Sequence, residues 1–170
     1  MIILGLSGLL FAQYTSQTDA VTFSATVAQF IEVQVTPPTV SFGTLNPLAN
    51  TTALTSVDVT NTYNSNVDIK LTLNGTDFNN TDVTDTIAIG NLKMIANSAM
   101  PVSYASFVDV MTNAETPCAA DMFRGDQDCS DVLIDHTVNL WFNFFVPGGK
   151  KAGTYTSTIN IKSDGITGPL

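Results

Sequence analysis

The chain has 170 residues, 44% of them hydrophobic and 12% charged, and 15 acidic against 6 basic side chains leave a net charge of −9. That length gives one domain large enough to bury a core. The acidity repels phosphate backbones and excludes nucleic acid as a partner, and surface polarity has to come from Thr, Asn and Ser, as suits a secreted protein.

Met1 to Ala12 form an almost uncharged apolar run that includes Ile2, Ile3, Leu4, Leu9, Leu10 and Phe11. A bilayer-crossing helix needs about 20 apolar residues, so no stable transmembrane anchor is expected. An apolar start ahead of a polar body is the layout of an exported protein, and cleavage after Ala12 is chemically reasonable. The basic stretch that normally precedes a signal core is missing, the first cation being Lys70. Retained instead, the run is an association surface. Residues 1–20 are accordingly read as a signal-like or assembly segment, and 21–170 as a single domain.

Period-two alternation dominates the chain from residue 21 onward. Val21, Phe23, Ala25 and Val27 alternate with Thr22, Ser24 and Thr26; after a slip around Ala28 to Phe30, the pattern resumes with Ile31, Val33 and Val35. This predicts one long bulged strand or two in succession. Further strands are predicted at Val40 to Gly43, Leu54 to Asn61, Val67 to Leu73, Thr86 to Met94, Val102 to Val110, Val132 to Val146 and Thr154 to Lys162. Pro37-Pro38, Asn46-Pro47, Asn64-Ser65-Asn66, Asn74-Gly75, Pro101 and Pro147-Gly148-Gly149 punctuate them as turns. Roughly eight such strands without an amphipathic helix predict an all-β, antiparallel β-sandwich of jelly-roll or immunoglobulin-like type.

Candidate chemistry is sparse. In the predicted last long strand the only histidine, His136, shares a face with Ile134, Val138, Leu140, Phe142 and Phe144, which reads as a partly buried structural imidazole. No nucleophile elbow accompanies it and nothing selects a catalytic carboxylate pair, so no enzyme is expected. Asp121, Asp126, Asp128, Asp131 and Asp135 crowd one loop, where Asp126, Asp128 and Asp131 are a candidate calcium set without EF-hand spacing, the alternative being a solvated loop; no cofactor is required. Cys118 and Cys129 flank that loop, and in an exported protein they are expected to form a disulfide; two Cys and one His are too few for structural zinc. Asn50, Asn74 and Asn79 begin N-x-S/T sequons in turn-like sequence, which makes the chain a candidate glycoprotein.

The stretches Ile31 to Pro37, Val40 to Pro47, Val59-Thr60-Asn61 and Asn66 to Ile69 resemble the opening of secreted archaeal surface β-sandwich proteins. Val146-Pro147-Gly148, Ala152 to Tyr155 and Thr158-Ile159 look like their closing hairpin, and the layout is similar to bundling pilins and to TasA- and camelysin-like fibre subunits. The loop between 111 and 131, with its cysteines, has no counterpart in TasA-type proteins. The resemblance implies an extracellular structural subunit that forms a linear homopolymer by donor-strand complementation, an N-terminal strand of one copy completing the sheet of the next. Val21, Phe23, Val27, Phe30 and Ile31 are the expected assembly residues. Two other readings remain: a cell-surface adhesion or glycan-binding sandwich, signalled by Trp141 with Phe145, and a type IV pilin-like subunit whose N-terminal apolar helix packs in a filament core.

Overall fold

A computed structural model of the chain describes residues 22–53, 55–103, 107, 109–118 and 126–166. Within them the fold is all-β: antiparallel sheets pack face to face as a sandwich, with one 3-10 turn, Ile89–Asn91, as the helical content. The strands are β1 (Val33–Thr36), β2 (Asn50–Thr52), β3 (Val57–Asn61), β4 (Ile69–Gly75), β5 (Phe78–Asn80), β6 (Thr86–Ile87), β7 (Leu92–Ala96), β8 (Asp109–Val110), β9 (Thr116–Pro117), β10 (His136–Phe145), β11 (Tyr155–Thr156) and β12 (Ile159–Gly165).

The first sheet runs β1-β3-β10-β7-β8, with β2 taking over from β3 along the second half of β10. The second layer is β12-β4-β9, continued at one end by β11-β5-β6. Alternation in the sequence sets which side chains meet between the layers. Val57, Val59, Val138, Leu140, Phe142, Phe144, Leu92 and Met94 come from the first sheet, and Ile69, Leu71, Leu73, Phe78 and Ile87 from the second. Each such burial contributes about 1.5–3 kcal/mol. Phe144 is central, its ring lying 4.3 Å from that of Phe78 and 5.4 Å from that of Phe42. Asn61 takes an inward position on β3 and donates its amide to the carbonyls of Val67 and Val132, both at 3.1 Å, joining the layers at one end.

Several predicted strands are redrawn by tertiary context. Val40 to Gly43 forms no strand: Gly43 turns at φ 70°, although Phe42 still points at the core. The run Thr86 to Met94 is cut by the 3-10 turn, which carries the chain from the second layer (β6) to the first (β7) with Ile89 buried in the crossing. β10 begins at His136 because Asp135 just before it adopts φ 61°. Asn74-Gly75 is no turn but the end of β4: a Cβ on Gly75 would lie 2.6 Å from Ile159 Cδ1 and 2.8 Å from Ile89 Cδ1, so glycine here permits close packing. Of the long N-terminal alternation only Val33–Thr36 joins a sheet.

The two sides of the sandwich differ. β8 lies at the edge of the first sheet and β9 at an edge of the second, and residues 111–115 pass between them. Along the way Met111 donates its N–H to Leu92 O and Gly75 its N–H to Thr112 O, each at 2.9 Å, which closes that side. The opposite edges are β1 and β12; Ile31, Val33, Ile159 and Ile161 pack against the core there yet stay half-buried. Among the described residues no strand pairs with the outer edge of β12.

Candidate assembly site

Of the described residues ahead of β1, 28–32 are fixed and 22–27 are exposed. The turn 62–66 holds residues 28–32 in extended form: Phe30 N–H donates to Asn66 Oδ1 (2.8 Å), Asn66 N–H to Phe30 O (3.1 Å) and the Asn66 amide to Ala28 O (2.9 Å). Buried Ser65 accepts from Glu32 N–H at 2.9 Å and donates back to Glu32 O at 3.2 Å. The Asn64 and Thr62 side chains bind the Glu32 carboxylate and hold its pKa below the ordinary value. In the sequence Asn64-Ser65-Asn66 reads only as a turn; its role as a clamp depends on partners more than 30 positions away and leaves no local signal.

Residues 22–27, beyond the clamp, and the side chains of the clamped 28–30 are exposed, and 22–30 form no strand, with Phe23 at 90%, Val27 at 82% and Phe30 at 56% exposure. Phe23, Ala25 and Val27 alternate with Thr22, Ser24 and Thr26 in the pattern of a half-buried strand. Here they bury nothing. The candidate assembly residues therefore divide: Phe23, Val27 and Phe30 are free, Ile31 packs against the core of its own chain, and Val21 lies outside the described residues. The clamp draws Ile31 in with β1, where it stays half-buried.

The other predicted sites are placed as follows. Cys118 and Cys129 form the disulfide, both buried, with Cα atoms 5.5 Å apart. In the acidic loop, Asp126 accepts from both the backbone N–H (2.6 Å) and the hydroxyl of Ser98, which depresses its pKa, and Asp128 accepts from Ser130. Among the described residues no group of three or more His, Cys, Asp or Glu side chains is set to hold a metal, and Asp121 lies outside them. The three sequon asparagines stand on strands rather than in turns, Asn50 and Asn79 exposed and Asn74 half-buried with its amide on Asn113 O at 3.4 Å. His136 is exposed rather than partly buried, since it opens β10 beyond the cover of the second layer. Trp141 lies half-buried on the outer face of β10 opposite Ile95, and its indole N–H is spent on Asn97 O at 2.9 Å; Phe145 is half-buried on the same face.

At the far end of the sandwich Asp85 ties two loops together. It accepts from Lys151 N–H (2.9 Å), the Tyr155 hydroxyl (2.6 Å) and Lys150 Nζ (3.1 Å), and these donors, in that order, hold its carboxyl far below the usual range. Tyr155 heads β11 and Lys150 follows Pro147-Gly148-Gly149, so this contact sets the hairpin predicted to close the fold.

Comparison with known proteins adds little to this geometry. No family model and no curated protein matches the chain. Among solved structures it is similar to a family 123 glycoside hydrolase from Clostridium perfringens, with a TM-score of 0.44 and 16% identity, over 72% of this chain and 19% of that one. A likeness of that degree carries no functional argument.

Proposed function

We propose that the protein is a structural subunit of an extracellular filament, each copy using its N-terminal segment to complete the sandwich of the next. One observation carries the reading: an uncharged stretch at 22–30 with exposed apolar side chains precedes β1, and among the described residues no strand pairs with the outer edge of β12. Exposed apolar strands and free sheet edges are both association surfaces, and each satisfies the other. Supply of an arm by one copy and of an edge by another is a head-to-tail contact, which gives an open polymer. The Cys118–Cys129 bond supports export to an oxidising compartment.

Deleting residues 1–27 leaves the clamp and β1 in place, and is expected to yield folded protein that stays monomeric at concentrations where the full chain forms fibres in negative-stain micrographs. Normal fibres from the truncated chain would overturn the proposal and favour the surface-binding sandwich.

A further inference from the structure

We infer that the acceptor for the arm is the free edge of β12 in a second copy, and that the arm lies on it antiparallel, entering at the Ile159 end. The inference rests on the filament reading and specifies its junction.

Strand directions decide the geometry. β12 pairs antiparallel with β4 from Ile159 opposite Gly75 to Gly165 opposite Ile69. The pattern of its bonds is fixed at both ends, Thr76 N–H donating to Thr158 O (3.0 Å) and Ile166 N–H to Asp68 O (2.8 Å). Antiparallel alternation then turns the backbone groups of Asn160, Lys162 and Asp164 toward β4, and those of Ile159, Ile161, Ser163 and Gly165 toward the open edge. The inward side chains of the latter set include Ile159 and Ile161, both half-buried against the core. A strand added here gains a full backbone ladder and covers them.

The arm leaves its own subunit at the Gly165 end of β12. There a Cβ on Gly165 would lie 3.3 Å from Gln29 Oε1, 3.3 Å from Ile31 Cδ1 and 3.2 Å from Val67 Cγ2, so the clamped stretch already fills that end of the edge. An incoming arm that used the same end would meet this filled corner, and the two copies would also exchange arms reciprocally and close as a dimer. Entry at the Ile159 end avoids both. The incoming chain then runs from Val27 near Ile159 back to Phe23 near Ser163, antiparallel to β12. In this arrangement Phe23, Ala25 and Val27 share one face, and matching that face to the core side of β12 sets Phe23 beside the small residue Ser163, short of the corner that Gln29 and Ile31 fill at Gly165.

The alternative edges fit less well. β8 has two residues and the 111–115 crossing beside it, and β1 has four, whereas β12 has seven. Residues 22–27 reach about 20 Å when extended, close to the length of β12.

The test is site-specific photo-crosslinking in fibres of the full chain. A benzophenone amino acid replaces Phe23 in one preparation and Val27 in another, and intermolecular adducts are mapped by mass spectrometry. The expected result is adducts to 162–163 from position 23 and to 159–160 from position 27. Reversed ends, or adducts to Val33–Thr36 or Asp109–Val110, overturn the inference while leaving arm-driven assembly standing. Fibres that persist after deletion of residues 1–27 overturn arm-driven assembly itself, on which the inference rests.

Discussion

Cys118 and Cys129 both bond the backbone of one residue of β4 from the same side: Cys118 donates its N–H to Leu71 O at 2.8 Å, and Leu71 donates its N–H to Cys129 O at 3.0 Å. With a sequence separation of 11, their bond closes a short loop. The chain-entropy treatment of such a loop gives about 3 kcal/mol of stabilisation, from restriction of the unfolded chain. In the folded state both sulfurs are buried and the two backbone bonds to Leu71 do not depend on the bridge, so the native structure is expected to survive reduction. For a domain of this size 3 kcal/mol corresponds to a fall in melting temperature of about 10 °C. Circular dichroism melts of the monomeric chain lacking residues 1–27, with and without reductant, measure this, with alkylation and mass spectrometry confirming the thiol state. A fall of less than about 2 °C refutes the loop-closure account. So does loss of a cooperative transition on reduction, which would mean that the bond holds native packing together.

Two further predictions concern single side chains. Asn61→Ala removes both amide donations; Val132 O keeps its bond from Ile69 N–H, while Val67 O loses a buried partner, so a loss of about 1–3 kcal/mol is expected in urea titration and an unchanged midpoint would refute it. Asp85 has a folded pKa depressed below its unfolded value of about 3.9, so its contribution is fully present above about pH 4 and is lost as pH falls toward the folded value. The stability gap between wild type and Asp85→Asn should therefore be constant from pH 5 to 7 and narrow below pH 4, and a gap that widens with acid would show that the sign is wrong.

How legible the molecule was in its sequence depended on whether a pattern had a local cause. β4, β10 and β12 were readable because apolar and polar residues largely alternate along them, and the disulfide because two cysteines close one loop. Asn74-Gly75 misled because this dipeptide usually marks a turn, whereas here glycine admits Ile159 and Ile89 against β4. Val40 to Gly43 misled in the opposite sense, its alternation serving core contact without a strand partner. The apolar alternation of residues 22–30 was visible, but nothing local could say that it would stay unpaired. That results from the clamp at Asn64-Ser65-Asn66, whose side chains act on residues far away in sequence.

In the proposed assembly, the clamp would also account for an arm that pairs with a second copy rather than with its own chain. Two intrachain solutions exist on paper. One folds the arm back as a hairpin along β1, but this needs a reversal within 28–32, where Asn66 and Ser65 hold the backbone extended. The other turns it up along its own β12, but a chain leaving at the Gly165 end can return along that edge only parallel to it, past the corner filled by Gln29 and Ile31. Parallel pairing is the slightly weaker ladder, and the turn adds strain to a segment with six free residues between 22 and 27. A neighbour's β12 offers the same edge in the antiparallel sense with no turn at all. What association costs in lost translational freedom is thereby set against an intrachain alternative that the clamp makes unfavourable, and the balance moves toward polymer as concentration rises.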